Sequence, residues 1–323
     1  MEFLDKYQKI IAETIEKYKF KDMPEELYEP MNYIISNGGK RLRPIMVLMG
    51  CELFGGDISK AMKPAIAIEY FHNFTLIHDD IMDDAPTRRN KPTIHTLHGI
   101  NAGILSGDGL LLKAYQFFED LEPELFKTCI RIFTNTGLRL CEGQQYDINF
   151  ETQRRVTYED YLQMITYKTG VLSAAAFEIG AAIANAAFQD AENLSNFGKH
   201  LGIAFQIMDD YLDVFGNAEQ FGKKHAGDIF ENKKTILYLL AWENATENEQ
   251  KELDDLYSQK TDNVEKIYRV EELFRRRKAD EKTLQLVQKH NEIARNYLDK
   301  INVSDEKKKP FIELADYLLK REN

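Results

Sequence analysis

Helical spacing organises the apolar positions of this chain. Leu284, Val287, Ala294, Leu298 and Ile301 recur at intervals that place them on one side of a helix, and Leu111, Leu112, Tyr115, Phe118 and Leu121 do the same. Thr157-x-x-Asp160 and Asp262-x-x-Glu265 resemble capping boxes and predict helix starts. Pro24, Pro30, Pro44, Pro64, Pro86, Pro92 and Pro123 are expected at the starts and breaks of helices. No run alternates as a strand would, and no repeat or low-complexity segment interrupts the pattern. Roughly the last 80 residues are more charged and predict an outer layer of amphipathic helices. The pattern predicts one all-α domain over residues 1–323, built from roughly a dozen helices.

Composition refines this picture. A chain of 323 residues has a length prior of about two domains, but nothing in it reads as a linker. With 43% hydrophobic and 29% charged residues it fits a globular protein able to bury a large core and enclose a cavity. A net charge of −11 argues against nucleic acid or an anionic membrane as the main partner. The apolar stretch from Ala174 to Phe188 carries Glu178 and Asn185 and is too short to span a bilayer, and the N-terminal segment lacks a signal-peptide core. Cys51, Cys129 and Cys141 are far apart without a CxxC, so buried thiols in a reducing, cytoplasmic setting are expected.

Two aspartate clusters carry the chemistry. In LIHDDIMDDAPTRRNKPT, Asp79 and Asp83 share a helix face, and so do Asp80 and Asp84. Like charges one turn apart repel, and a hard cation bridging their oxygens would remove that repulsion. A lone DDxxD is as readily a solvated acidic face. This one, however, follows the apolar run Phe74-Thr75-Leu76-Ile77, where a helix would leave the core. In FQIMDDYLD, Asp209 and Asp213 repeat the spacing around Asp210, again directly after an apolar segment. Basic residues accompany both clusters: Lys40, Arg41 and Arg43 beside Gly38-Gly39, then Arg88 and Arg89, Lys168, Lys223 and Lys233. Arg forks and Lys point charges suit phosphate oxygens. The set describes a pocket for two diphosphates, one held through metal and one held directly by cations.

With those residues in view, the chain resembles the trans-type isoprenyl diphosphate synthases, the family of the farnesyl and geranylgeranyl diphosphate synthases. GGKRLRP, HDDIMDDAPTRRNKPT, GDGLL, GQQYD, KTG, FQIMDDYLD and GKKHAGDIFENKKT occur in the family's order over about residues 38 to 235. The resemblance implies an isoprenoid-synthase bundle around a deep central cavity, a homodimer, and a Mg²⁺ cluster of three ions with substrate bound. It implies that Asp79 and Asp83 hold Mg²⁺, supported by Asp80 and Asp84, and that Asp209 holds a further ion with Asp210 and Asp213 nearby. Arg88, Lys168, Lys223 and Lys233 would contact the allylic diphosphate. Lys40, Arg43, His72 and Arg89 would bind isopentenyl diphosphate, and Thr169 and Gln206 would turn their oxygens toward a developing carbocation. Asn90 stands where the family usually has Gly, which would stiffen its loop without removing a ligand, and Asp84 adds a carboxylate to the first motif.

The implied reaction is ionisation of the allylic diphosphate, attack by isopentenyl diphosphate, and loss of a proton to the departing pyrophosphate. No protein base is nominated, and His78 reads as a structural hydrogen-bonding residue. Phe71, Phe74, Thr75 and His78 share one helix face. A bulky Phe74 with Thr75 beside it would floor the cavity and resembles geranylgeranyl-type enzymes, farnesyl diphosphate being the near competitor; Phe71 and Phe74 as ordinary core aromatics is the alternative. Three other readings stand beside this one. A terpene cyclase would replace the second aspartate motif and would not need GGKRLRP. A non-catalytic subunit of a heteromeric synthase would be expected to lose ligands. A di-iron carboxylate bundle would need a partner for Glu69-x-x-His72.

Overall fold

The computed structural model describes residues 2–216, 225–258 and 264–319. The fold is all-α as expected, with one hairpin of two-residue strands, Thr87–Arg88 and Lys91–Pro92, that periodicity did not reveal. By its internal packing the chain forms two compact units. One comprises Met1–Asn135, Ala175–Ser195 and Asn302–Lys307; the other comprises Thr136–Ala174, Asn196–Ile301 and Lys308–Asn323.

In the first unit, helices α1 (Glu2–Lys17), α2 (Glu25–Ser36), α3 (Leu42–Leu53), α4 (Ile58–Met82), α5 (Ile94–His98) and α6 (Ile100–Gln116) follow one another. α4 is the core helix. Ala65, Ile66, Ala67, Ile68 and Tyr70 are all buried, so it is enclosed on every side rather than amphipathic. Asp57 caps its start, its Oδ1 accepting from the Ser59 amide at 2.9 Å. Its end is equally local: Asp83 is the C-cap and Asp84 turns left-handed at φ 48°. α6 packs on α4 through Gly103 and Gly107, one turn apart. A Cβ on Gly103 would lie 2.7 Å from the Ile81 side chain, and one on Gly107 would overlap the His78 ring.

The second unit contains residues of α7 (Pro123–Thr152), α8 (Tyr158–Ile165), α9 (Val171–Ile183) and α10 (Phe188–Phe215), with a π-helical turn, Thr166–Gly170, between α8 and α9. The Thr157–Asp160 capping box forms as predicted; the other one, at Asp262, begins outside the described residues. The charged C-terminal region is helical, as Glu247–Ser258, Val264–Arg276, Ala279–Asp299 and Asp305–Leu319. Val270, Leu273 and Phe274 join Tyr161, Ile203 and Ile207 in one core. Val287, Ala294, Leu298 and Ile301 are buried as their spacing predicts.

Three expectations fail locally. Leu112 is 67% exposed, and Leu110 and Ala114 are the buried positions of that part of α6, while Phe118, just beyond its end, is buried as its spacing predicts. Pro30 and Pro64 lie inside α2 and α4, in the second turn of each, without ending them. Cys51 and Cys129 are buried as expected, but Cys141 is exposed.

Candidate active site

The first aspartate cluster occupies the last turn of α4 and the cap beyond it. Asp80 is buried, and its Oδ1 accepts from Arg88 Nε at 2.7 Å. Burial raises the Asp80 pKa, and the Arg88 charge offsets part of that rise. Asp80 thus ties the hairpin to α4, while Asp79 and Asp83 take the adjoining positions one turn apart. Asp84, in its left-handed cap, lies 3.9 Å from the His95 ring.

The hairpin turn is Arg89-Asn90, with φ 53° and 59°. Two successive left-handed residues suit a tight two-residue turn, and Asn tolerates that conformation well. Asn90 therefore keeps the turn that Gly would have made. Arg89 reaches back across the glycine pair, its Nη1 donating to the Gly38 carbonyl at 2.5 Å. A Cβ on Gly39 would lie 2.6 Å from that same Nη1, so Gly39 is required both for its φ of 114° and for the room it leaves.

The cations of GGKRLRP divide into two groups. Arg41 is left-handed at the start of α3 and turns inward to a buried ion pair with Glu69 and to the Ile35 carbonyl. Asn73 Nδ2 also donates to Glu69 Oε1, at 3.0 Å. This commits Glu69 and removes the di-iron reading of Glu69-x-x-His72. Arg43 Nη1 donates to His72 Nε2 at 3.0 Å, and since arginine cannot accept, the imidazole carries its proton elsewhere. Burial, followed by the charges of Arg43, Arg89, Arg88 and Arg41, drives the His72 pKa well down. A neutral histidine under the charge of four arginines, of which Arg41 is paired with Glu69 and Arg88 with Asp80, marks a positive region. Lys40 is exposed, and its carbonyl accepts from Gln8 Nε2 at 3.0 Å.

Next to His72 on α4, Phe71 is buried and packs edge-on against Phe133 at 4.9 Å. Phe74 is only half-buried and meets the His78 ring at 4.8 Å. The Thr75 hydroxyl is turned back to the His72 carbonyl at 2.8 Å. His78 approaches the Ile104 carbonyl at 3.3 Å, in keeping with a structural role.

In the second unit the other cluster lies on the last turns of α10. Asp210 is buried; its Oδ2 accepts from Tyr161 Oη at 2.6 Å and its Oδ1 from Gln206 Nε2 at 2.9 Å. Burial raises its pKa to about 7 despite those two donors. Asp213 Oδ2 accepts from the Asp228 amide at 3.0 Å and its carbonyl from the Ala226 amide at 2.8 Å, which organises the short Gly227–Phe230 helix. Asp209 is one turn from Asp213 on the same face.

The π turn presents Lys168 and Thr169, and such turns occur often at functional sites. Lys168 Nζ donates to Asp147 Oδ2 at 2.6 Å, and Thr169 Oγ1 to Gln206 Oε1 at 2.9 Å. Two glycines let the neighbouring helices approach it: a Cβ on Gly143 of α7 would lie 2.5 Å from the Lys168 amide, and one on Gly202 of α10 would lie 2.9 Å from the Gly170 Cα. Lys233 Nζ pairs with Glu231 at 2.9 Å, and Lys223 lies outside the described residues. Asp147 and Tyr161 have no assigned role in the motif reading. Asp147 was visible only as the end of GQQYD, and its pairing with Lys168 on another element leaves no periodic trace.

Both aspartate turns offer hard oxygen donors, which fits Mg²⁺. Among the described residues no group of three or more His, Cys, Asp or Glu side chains is gathered to hold an ion. Mg²⁺ is characteristically held by one or two carboxylates, with substrate phosphates and water completing the shell, so this donor set remains suitable.

A polyprenyl synthetase family model matches residues 24–274, most of both units. The chain belongs to the polyprenyl synthetase family. It is an all-α prenyltransferase, and the family match sets the terpene cyclase reading aside. Within the family it is 35% identical over 324 residues to a short chain isoprenyl diphosphate synthase of Methanothermobacter thermautotrophicus, covering 100% of this chain and 99% of that one. It matches a crystal structure of a geranylgeranyl pyrophosphate synthase with a TM-score of 0.94 at 39% identity, covering 99% of each chain. A Corynebacterium glutamicum geranylgeranyl pyrophosphate synthase, crystallised with isoprenyl diphosphate and magnesium, matches with a TM-score of 0.90 at 26% identity, covering 98% of this chain and 99% of that one. Among the described residues no helix is long and apolar enough to cross a membrane.

Proposed function

We propose that this polyprenyl synthetase condenses isopentenyl diphosphate head to tail with an allylic diphosphate, and that its product is geranylgeranyl diphosphate. The observation that carries the reading lies within the first unit. Arg43, Arg88 and Arg89 gather about a neutral His72, beside an aspartate turn fastened to them by the Arg88–Asp80 contact. An anion site beside a cation site is what a substrate bearing diphosphate, with Mg²⁺, requires.

Asp79, Asp83 and Asp209 would hold the Mg²⁺ ions, three in number by the family resemblance, with Asp80, Asp84, Asp210 and Asp213 supporting them. Bound Mg²⁺ supplies positive charge where negative charge builds on the leaving diphosphate. Lys40, Arg43, His72 and Arg89 would take isopentenyl diphosphate. Arg88, Lys168, Lys223 and Lys233 would take the allylic diphosphate, and residues 1–323 would act as one catalytic domain. The allylic carbon–oxygen bond breaks with its electron pair leaving on pyrophosphate. The double bond of isopentenyl diphosphate then supplies the pair for the new carbon–carbon bond, and the proton released goes to a pyrophosphate oxygen. Thr169 and Gln206 would face oxygens to the transient positive charge, and fixed dipoles of that kind cost little reorganisation during reaction.

The half-buried Phe74 would limit chain length, with Phe71 and Thr75 shaping the same wall. A homodimer is supported by the exposed apolar side chains of α6, where Ile104, Leu105 and Leu112 are 42%, 60% and 67% exposed and lie within one arc of the helix. A cytoplasmic location is proposed from the cysteines, Cys51, Cys129 and Cys141, which are free thiols as a reducing compartment would keep them.

Purified protein with Mg²⁺, isopentenyl diphosphate and each of dimethylallyl, geranyl and farnesyl diphosphate tests the reading by mass spectrometry of the products. Elongation that needs Mg²⁺ and stops at twenty carbons is expected. No elongation from any primer would reject it in favour of a non-catalytic subunit, whereas another chain length would reject only the product assignment.

A further inference from the structure

Tyr161 is fully buried in α8, its ring part of the core of the second unit. A phenol in that position needs a hydrogen-bond partner, and Asp210 Oδ2 accepts from it at 2.6 Å. The other carboxylate oxygen accepts from Gln206 Nε2 at 2.9 Å, and Gln206 Oε1 accepts from Thr169 Oγ1 at 2.9 Å. The directions along this chain depend on one another. A carboxylate flanked by two donors accepts at both oxygens, so the Gln206 amide turns its NH₂ toward Asp210. The amide oxygen is then left on the Thr169 side, and the Thr169 hydroxyl must donate to it. One anchored carboxylate therefore orients two neutral polar side chains on two different elements.

The geometry points to Tyr161 as a positioning residue for ionisation of the allylic diphosphate. Its hydroxyl holds the Asp210 carboxylate in place, and through it the Gln206 amide and the Thr169 hydroxyl. In that arrangement oxygen rather than N–H faces a developing allylic cation. The inference rests on the function proposed above. Without the phenol hydroxyl, Asp210 loses one of its two buried donors, and its carboxylate, with Gln206 and Thr169 behind it, is no longer held in one place. Amide and hydroxyl oxygens that are no longer fixed would stabilise the developing charge less while leaving diphosphate binding untouched, so the penalty falls on the transition state.

Tyr161→Phe removes the hydroxyl and keeps the ring. Its kcat is expected to fall roughly tenfold, with the KM of both substrates and the Mg²⁺ half-activation within about twofold of wild type. Tyr158→Phe, a half-buried phenol on the same helix, is the control and should match wild type. A second readout needs no turnover: affinity for a prenyl ammonium with pyrophosphate, relative to its neutral carbon isostere. Wild type should prefer the cation, and Tyr161→Phe should lose most of that preference. Gln206→Met should lose it as well, and the double variant should lose no more than either alone, since the residues act as one unit.

A wild-type kcat in Tyr161→Phe well below its melting temperature would overturn the inference, as would an unchanged preference for the cationic analogue or additive losses in the double variant. Should Tyr161→Phe fail to fold, Gln206→Met with unchanged cation preference would overturn it too. If wild type itself elongates nothing, the functional reading fails and the inference falls with it. That outcome is distinct from an active wild type beside an equally active Tyr161→Phe.

Discussion

The Asp147 carboxylate, on α7, accepts a hydrogen bond from the Lys168 ammonium on the π turn at 2.6 Å. The contact joins the last residue of GQQYD to the first of KTG, and it comes where Gly143 lets α7 pass close to the Lys168 backbone. A lysine side chain has four rotatable bonds, so an ammonium held by a carboxylate is ordered before a phosphate arrives.

Replacing Asp147 by Asn keeps the shape of the contact and removes its charge. Lys168 should then sample more rotamers, and the KM for the allylic diphosphate should rise roughly tenfold while that for isopentenyl diphosphate stays put. Steady-state kinetics with each substrate varied in turn measure this. An equal rise in both constants would mean that the contact supports the fold and not one diphosphate.

Adjacent residues of GGKRLRP should respond differently. Arg41→Ala strands the buried Glu69 carboxylate, and breaking such a pair costs about 3–5 kcal/mol, which denaturant unfolding should register directly. Lys40→Ala should leave stability within about 0.5 kcal/mol of wild type and weaken isopentenyl diphosphate binding. Comparable loss of stability in both would show that the motif serves the fold throughout.

Local geometry was legible in the sequence, and contacts between elements were not. The turn-spaced aspartates and the Thr157–Asp160 capping box follow from spacing that a helix repeats within a few residues. The π turn at Thr166–Gly170 leaves no such signal, since its shape goes with Gly143 and Gly202 approaching from other helices. Pro30 and Pro64 misled for a related reason. Each falls in the second turn, where a packed helix absorbs the missing donor. The pairing of Arg41 with Glu69 shows the same limit: sequence shows three nearby cations, but only packing shows that one of them is structural.

His200 Nδ1 and His290 Nδ1 are 3.1 Å apart in the second unit, with the Tyr297 ring stacked on His200. Two imidazoles so placed need one donor and one acceptor, so they cannot both be protonated and keep the contact. Burial comes first in lowering each pKa to about 4, with His290 and Lys199 adding to it for His200 and Lys289 for His290. Each folded-state pKa is below the unfolded value of about 6.5, so the unfolded chain binds more protons in between. The stability from this pair is complete above about pH 6.5 and is lost as pH falls toward 4. Thermal melts from pH 8 to 4.5 should show that decline, and His290→Asn should flatten it. An unchanged slope in the variant would place the acid sensitivity elsewhere.

Phe71 and Phe74 are one turn apart, yet they should not be interchangeable. Phe71 is held edge-on by Phe133 in a closed aromatic cluster, so Phe71→Ala should cost about 3–5 kcal/mol of stability. Phe74 is half-buried, in contact with the His78 ring at 4.8 Å and with the Phe71 ring at 5.6 Å. If it floors the growing chain, Phe74→Ala lowers the floor by about one helical turn, about 5.4 Å, which is close to one extended isoprene unit. The expected result is a folded enzyme whose products extend beyond twenty carbons, read by mass spectrometry after incubation with farnesyl diphosphate. An unchanged product distribution would return Phe74 to the core beside Phe71 and leave chain length to be set by another residue.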